Sequence, residues 1–167
     1  VLWEAPNGHV LRLEFERFAS LAQRHVMALR LTVTALHGTV ALHAQAGLDT
    51  DPPTPTPFQH WQPWETGAAG DEVWVRSTTT EGRYSLALCA AFLASDGAAP
   101  QVVATGVRPQ LAYTRTLPQG ESITFTKLVT LTTTREFAEP LDAAQSLLAD
   151  ARRAGYDALY EAHRAAW

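Results

Sequence analysis

The segment best suited to chemistry is a proline-rich stretch from Asp49 to Gly67. Four of its residues combine aromatic faces with polar groups: His60, Trp61, Trp64 and Glu65. Aromatic rings pack on the apolar face of a sugar ring, and imidazole and carboxylate groups hydrogen bond to its hydroxyls. The sequence therefore predicts that these four residues bind a sugar. The alternative is that Phe58 and the two tryptophans only pin the stretch to the rest of the fold.

Proline content predicts the shape of the same stretch. Five prolines lie between positions 52 and 63. Since proline has no backbone N–H to donate, the stretch cannot pair as a central strand and is expected to form a stiff excursion. Loops of this kind are either functional or mobile.

Several carboxylates surround the proline-rich stretch: Asp49, Asp51, Glu65, Asp71 and Glu72. Cleavage of a glycosidic bond usually needs two carboxyl groups that face one sugar across a few ångströms. Carboxylates in turns are usually solvated, however, and nothing in their spacing brings two of them together. We therefore predict no catalytic pair in this chain.

The histidines, the cysteine and the serines predict no further active site. No His-x-x-x-His or Cys/His spacing indicates zinc, so no metal is expected. His25 and His43 lie in predicted strands, and no glutamate pairs with His43 as an aldose epimerase would need. We expect His163 to pack at a domain junction.

The lone Cys89 lies in an apolar run and is predicted to be a buried structural thiol. Neither Ser20 nor Ser85 has the context of a nucleophile, and the glycines form no phosphate-binding loop.

The elements that position these residues are mostly strands. Apolar residues alternate with polar ones in His9 to Phe18 and in His25 to Leu36, which is typical of strands with one face in a core. An Asn7-Gly8 turn predicts a hairpin before the first of these. A turn at residues 37–39 predicts a second hairpin into Val40 to Ala46. Further strands are predicted at Val73–Thr79, Tyr84–Ala94, Gln101–Thr105, Gln110–Leu117 and Ser122–Thr134. About eight strands separated by regular turns predict an antiparallel β-sandwich.

Helical periodicity begins only after Glu136. Pro140 suits a first helical turn, and an apolar stripe at helical spacing includes Leu141, Ala144, Leu147, Leu148 and Ala151. Gly155 is the predicted stop, and Asp157 is the predicted cap of a second helical segment that carries Leu159, Ala162 and Ala166. Because this last segment also holds Tyr156, Tyr160 and Trp167, we expect something to pack on it.

Composition excludes some classes of function. The 167 residues are 46% hydrophobic and carry a net charge of −4, and twelve of the thirteen basic residues are scattered arginines. No basic stripe is available for a phosphate backbone, so nucleic acid is an unsuitable partner. No apolar run is long enough to span a membrane, so the sequence predicts a soluble protein without a membrane partner.

Four patches of the sequence carry a resemblance to a known family. The first is Arg17-Phe-Ala-Ser-Leu with His25, Ala28 and Arg30. The others are Asp49 with His60-Trp61, Lys127-Leu-Val-Thr-Leu with Thr134-Arg-Glu136, and Ala154-Gly-Tyr-Asp-Ala-Leu with His163 and Trp167. The first patch resembles the segment RFxSLxxxHxxAxR of the amino-terminal domain of glycoside hydrolase family 65, and the others follow in that family's order and span nearly the whole chain. The family includes maltose, trehalose and kojibiose phosphorylases and related α-glucoside hydrolases.

The resemblance implies a galactose-mutarotase-like β-sandwich at residues 1–136, followed at 137–167 by linker helices that lead into an (α/α)6 barrel. In the family that barrel holds the general acid and the phosphate-binding residues or catalytic base, so no residue of this chain inherits a catalytic role. No cofactor is implied, and inorganic phosphate is a co-substrate only if the parent is a phosphorylase. The family's early Asn-Gly-Tyr-Leu-Gly-type motif is also absent, so we expect a piece truncated at both ends whose exposed sheet edges favour a homodimer.

The combined prediction is a non-catalytic domain of a cytoplasmic enzyme that acts on an α-linked disaccharide. Its expected roles are to support the barrel, to contribute to subunit association, and to lend the stretch from His60 to Glu65 to the rim of the substrate pocket. The competing prediction is a free-standing carbohydrate-binding or interaction sandwich, and an aldose epimerase is a third. Phosphorolysis and hydrolysis are distinguished by barrel residues outside this sequence, so that choice stays open.

Overall fold

The computed structural model describes residues 1–51 and 58–167, so the four prolines at positions 52–57 lie outside the described residues. The described strands are β1 (Leu2–Glu4), β2 (Val10–Ala19), β3 (Val26–His37), β4 (Val40–Gly47), β5 (Glu65–Ala69), β6 (Glu72–Thr78), β7 (Ser85–Ala94), β8 (Gln101–Ala104), β9 (Gln110–Leu117) and β10 (Ser122–Thr133). Two helices follow, α1 (Pro140–Ala154) and α2 (Tyr156–Ala166). The predicted class, a mainly antiparallel β-sandwich with C-terminal helices, is confirmed.

The strands form two sheets. A seven-stranded sheet has the order β1-β2-β3-β10-β7-β6-β5, and a three-stranded sheet has the order β4-β9-β8. All the strand pairs are antiparallel. The last strand in the chain, β10, therefore lies in the middle of the large sheet, between β3 and β7.

Each face of the large sheet has its own apolar core, because side chains alternate along its strands. In β7, Ala90 and Phe92 face the three-stranded sheet, whereas Cys89 and Ala91 face the helices. Phe92 packs against Tyr113 of β9, whose hydroxyl donates a hydrogen bond of 2.8 Å to the Phe92 carbonyl. The molecule thus has three layers: the small sheet, the large sheet and the helices.

The first predicted hairpin is confirmed and the second is wrong. β1 pairs with β2 through a turn in which Gly8 has φ of 81°. After β3, the chain instead crosses to the other sheet, where β4 pairs with β9. Alternating apolar residues on both sides of the turn predicted two strands correctly, but Val33 and Val40 lie in the same inter-sheet core. Alternation alone does not distinguish a hairpin from a crossing between sheets.

Helix α1 packs on the outer face of the large sheet. Ala144, Leu148 and Ala151 are fully buried there, and Pro140 lies in the first turn as predicted. The hydroxyls of Thr130 and Thr132 on β10 donate hydrogen bonds to helix carbonyls, from Thr130 to Ala144 at 2.8 Å and from Thr132 to Pro140 at 2.6 Å. These two bonds join the first half of α1 to the central strand.

The C-terminal end of α1 is tied to the sheet by an arginine fork. The guanidinium of Arg152 donates to two acids, each at 2.5 Å. Asp71 lies in the turn before β6, and Glu72 is the first residue of β6. A bidentate arginine fixes geometry as well as charge. It therefore orients α1 on the sheet.

Helix α2 differs in part from its prediction. Gly155, with φ of 79°, ends α1 as expected, but the side chain of Asp157 does not cap α2 and instead accepts a 2.6 Å bond from Arg30. Tyr156 and Leu159 are buried, whereas Ala162 and Ala166 are exposed. Tyr156 packs in the core between the large sheet and the helices, edge-on to Phe18, and Arg30 lies over its ring, 4.1 Å from the centroid. Trp167 is 89% exposed.

Strand β5 was missed from the sequence. Its residues are Glu-Thr-Gly-Ala-Ala, which show neither β-branched enrichment nor alternation. It forms because β6 offers an edge and because Gly67 lets the ring of Trp74 lie close, such that an added Cβ would meet that ring at 2.4 Å. Within the described part of the chain, no helix is long and apolar enough to cross a membrane.

Candidate functional site

The predicted sugar-binding residues lie where the proline-rich stretch returns to the large sheet. The backbone of this segment pairs with the end of β6, since Gln62 N–H donates to Thr78 at 2.8 Å and Thr80 N–H donates to His60 at 3.0 Å. Trp61 forms an isolated antiparallel bridge with Thr79. The segment is thus held at the β6–β7 end of the sheet.

The four side chains do not converge on one point. Trp64 packs against the inter-sheet core, and the Trp61 ring lies 5.7 Å from it, tilted by 42°. His60 is exposed. Glu65 begins β5, and its carboxylate accepts a 2.6 Å bond from Arg76. Trp64 therefore has the packing that the alternative gave it, whereas Phe58 is 72% exposed.

A polar cavity lies beside Glu65, between the ends of β6 and β7 and the start of α1. Its volume is about 230 Å³. Its polar lining comprises Gln62, Glu65, Arg76, Ser77, Thr78, Ser85, Thr134, Glu139 and Asp142. Small-molecule sites usually enclose roughly 300–1,000 Å³. The cavity alone is therefore too small to enclose a disaccharide, although its hydroxyls and carboxylates suit one wall of a polar site.

The groups of this cavity are mostly engaged with one another. Ser77 donates to the Gln62 carbonyl at 2.8 Å, and the hydroxyls of Thr78 and Ser85 share a 2.8 Å bond. The hydrogen bond to Glu65 is the main cause that raises the pKa of Arg76 above its ordinary value. The Glu65 carboxylate is thus engaged by Arg76 in the wall of the cavity.

The other carboxylates of the predicted cluster are mostly ion-paired. Asp71 and Glu72 hold Arg152, and Asp49 lies 3.0 Å from Arg108. The pKa of Asp49 is lowered, first by the backbone N–H of Asp51 and then by Arg108. These partners are arginines that fix the fold, so the carboxylates do not face one shared sugar site.

The histidines are structural or surface groups. His25 bonds to the Leu131 carbonyl at 2.9 Å and lies 3.4 Å from Glu136. His43 contacts the hydroxyl of Thr114 and the amide of Gln45. His163 accepts the backbone N–H of Leu21 at 3.2 Å and stacks on Phe18. In residues 1–51 and 58–167, no three His, Cys, Asp or Glu side chains are grouped to hold a metal ion.

Cys89 is buried in the core between the large sheet and α1. Burial is the main cause that raises the pKa of its thiol to about 12. Because the thiolate is the reactive form, this cysteine is inert at neutral pH, as predicted for a structural thiol.

Two interacting cations escaped the sequence reasoning. Arg152 joins α1 to a turn eighty-one residues earlier, and a spacing of that length carries no local signal. Lys127 donates to the carbonyl of Gly47 at 2.5 Å, which joins the two sheets. The available signal was that Lys127 is the only lysine of the chain and the only charged residue of β10.

Comparisons with known proteins agree on the type of domain. Residues 1–167 match the family described as glycosyl hydrolase family 65, N-terminal domain. A solved structure, a putative kojibiose phosphorylase from human microbiome, superposes with a TM-score of 0.82 at 14% identity. The superposition covers 99% of this chain but only 22% of that phosphorylase. No curated protein matches the chain.

Proposed function

The chain belongs to glycosyl hydrolase family 65, whose N-terminal domain it represents, and on that premise we propose that it is the non-catalytic domain of an enzyme acting on α-glucosides. The parent is a disaccharide phosphorylase or a hydrolase, and inorganic phosphate is its co-substrate in the first case. Residues 1–136 form the sandwich, and residues 137–167 connect it to a catalytic (α/α)6 barrel. The buried free thiol of Cys89 is compatible with a cytoplasmic enzyme.

One observation carries the non-catalytic role. Among the described residues, three acids of the predicted carboxylate cluster pair with arginines: Glu65 with Arg76, and Asp71 and Glu72 with Arg152. Glu139 and Asp142 also line the cavity, and their charges help to raise the pKa of the same Arg76. A glycoside-cleaving pair needs one carboxyl group that donates a proton and a second group that acts on the opposite side of the sugar. Carboxylates that are locked in ion pairs within the fold fit neither role. The chemistry is therefore assigned to another domain.

We assign three supporting roles to the domain. Helices α1 and α2 present their outer surfaces to the barrel, and exposed sheet edges contribute to a homodimer. The segment from His60 to Glu65 forms part of the rim of the substrate pocket. Support for the last role comes from its exposed His60, from Trp61 and from the polar cavity beside Glu65.

The native mass of the gene product tests the domain assignment. The chain has a mass of 18.2 kDa and covers 22% of the phosphorylase, so a parent of that architecture has a mass of about 80 kDa. The test is intact mass spectrometry of the product of the complete reading frame. An assay for release of glucose or glucose phosphate from α-linked disaccharides accompanies it. A native product near 18.2 kDa would instead support a free-standing carbohydrate-binding sandwich.

The rim role has a separate test in the complete enzyme. Trp61→Ala is expected to raise the KM for the disaccharide severalfold, because an aromatic stacking surface for a sugar is worth about 1 kcal/mol. Trp3→Ala is the matched control, since Trp3 is half-exposed on β1, at the opposite edge of the same sheet. An equal KM for the two variants would show that the segment from His60 to Glu65 does not contact the substrate.

A further inference from the structure

One end of the inner face of the large sheet is left open by the small sheet. An apolar groove of about 470 Å³ lies there, formed by β2, β3 and β10. Its side chains include Ala19, Met27, Leu29 and Val129. Phe15, which shares this face one step along β2, is 58% exposed. Apolar surface of this kind marks a place where another surface packs.

Two cations border the groove without a carboxylate. Lys127 is partly buried, and its ammonium makes one hydrogen bond, to Gly47, within the described residues. Neither Lys127 nor Arg17 is within ion-pair distance of an acidic side chain in the part of the chain that the structure describes. Residues 52–57 are Pro-Pro-Thr-Pro-Thr-Pro and hold no carboxylate.

A buried ammonium without a counter-charge is costly. Burial lowers the pKa of Lys127, because removal from water disfavours the charged form. An ammonium has three donors, and a carboxylate that reached this position would accept from those that remain and restore the lost solvation. The groove thus has an apolar floor and a cationic border, which is complementary to an acidic group among apolar ones.

We propose that this groove docks a segment of the parent enzyme's remaining polypeptide, in which a carboxylate is flanked by apolar side chains. The apolar side chains contact Met27, Leu29 and Val129, and the carboxylate pairs with Lys127 and Arg17. The inference rests on the proposed function, since the phosphorylase of similar fold has 78% of its length beyond the part this chain covers. Two copies joined face to face through this groove would bring like charges together, which disfavours a second copy as the occupant.

The only lysine of the chain allows a direct test. N-hydroxysuccinimidyl acetate is applied to the 167-residue chain and to the protein from the complete reading frame, and acetylation of Lys127 is followed by peptide mass spectrometry. We expect acetylation in the complete protein to be at least about tenfold slower, because an ordered contact must open before the amine reacts. The unfolded chain in urea gives the rate for an unprotected amine.

A substitution separates docking from a purely internal role for the lysine. Lys127→Met removes the bond to Gly47 in both proteins, but only in the complete protein does it also leave a buried carboxylate without its cation. The fall in thermal midpoint is therefore expected to be larger in the complete protein than in the 167-residue chain. Arg24→Met is the control, since Arg24 is exposed and has no acidic partner among the described residues.

The outcomes separate this inference from the proposed function. If the complete protein has the mass of a multidomain enzyme and Lys127 reacts equally fast in both forms, the groove is free and the inference is overturned while the proposed function stands. If Lys127 is protected in the 167-residue chain and light scattering gives a dimer, a second copy fills the groove and the inference is overturned. A native product near 18.2 kDa overturns both.

Discussion

Replacement of Leu148 by alanine tests whether helix α1 unfolds together with the sandwich or is only a linker attached to it. Leu148 has no exposed surface and lies between the helix and the large sheet, with Ala144 and Ala151 on either side. Leu-to-Ala substitutions at such sites cost about 2.7–5 kcal/mol, and the cost rises with the cavity left behind. The neighbours here are small alanines with little freedom to fill the space. We therefore expect a loss in the upper half of that range, about 4 kcal/mol.

Urea denaturation followed by far-UV circular dichroism measures this loss as a shift in midpoint at constant slope. Leu21→Ala is the control, since Leu21 is 48% exposed and the same change there should cost less than about 1 kcal/mol. A Leu148→Ala loss below about 1 kcal/mol would refute the reasoning. So would rapid hydrogen exchange throughout α1 in a wild-type chain whose strands stay protected, because α1 would then unfold independently of the sheet.

Three further predictions concern single residues. Gly67→Ala is expected to destabilise the chain by about 1–3 kcal/mol, because the new methyl group meets the ring of Trp74 at 2.4 Å; a loss under about 0.5 kcal/mol in urea denaturation would mean that the ring moves aside freely. Cys89 should react with a thiol reagent such as dithionitrobenzoate only as fast as the chain unfolds, since burial raises its pKa to about 12; rapid labelling of the folded chain would contradict its burial. The pKa of Lys127 is lower in the folded chain than its unfolded value of about 10.4. Between these two pKa values the unfolded chain binds more protons than the folded chain. The contribution of Lys127 to the free energy of unfolding therefore rises with pH through that window. The unfolding free energy of the wild type, relative to Lys127→Met, should therefore increase from pH 8 to pH 10, and a constant difference would show that the ammonium is well solvated.

The sheet and helix content was predictable because it depends on local patterns. Alternation in β2, β3 and β10 and the 3.6-residue stripe of α1 are set by which faces are buried, and sequence records this directly. The fold class therefore followed from the chain alone. Strand β5 escaped because its Gly-Ala composition has no such pattern and its pairing is imposed by β6.

Partner choice was not predictable in the same way. The turn after β3 leads to the other sheet, and Asp157 pairs with Arg30 rather than capping α2. Both outcomes depend on contacts between residues that are distant in sequence, and a strand or a cap signal is the same whichever partner is available. Tertiary contacts decided these cases.

The position of the candidate segment in the fold was only partly predictable from the sequence. The sequence indicated the segment from His60 to Glu65 from its proline and aromatic content, and the structure holds that segment at the β6–β7 end of the sheet. The sequence did not distinguish Trp64, which packs against the core, from Trp61 and His60, because an aromatic residue near prolines suits either position. Its role in sugar binding stays a prediction.

The central place of β10 has a consequence for how the protein is made. Until residues 122–133 leave the ribosome, the large sheet is divided into β1-β2-β3 and β7-β6-β5, each with an unpaired edge of ten or more residues. Such edges pair readily with other chains. A nascent chain that stalls before Ser122 therefore exposes the unpaired edges of β3 and β7. Synthesis of β10 covers both edges, because β10 pairs with both strands. The domain is therefore most prone to aggregation during synthesis after β7 has emerged and before β10 has emerged.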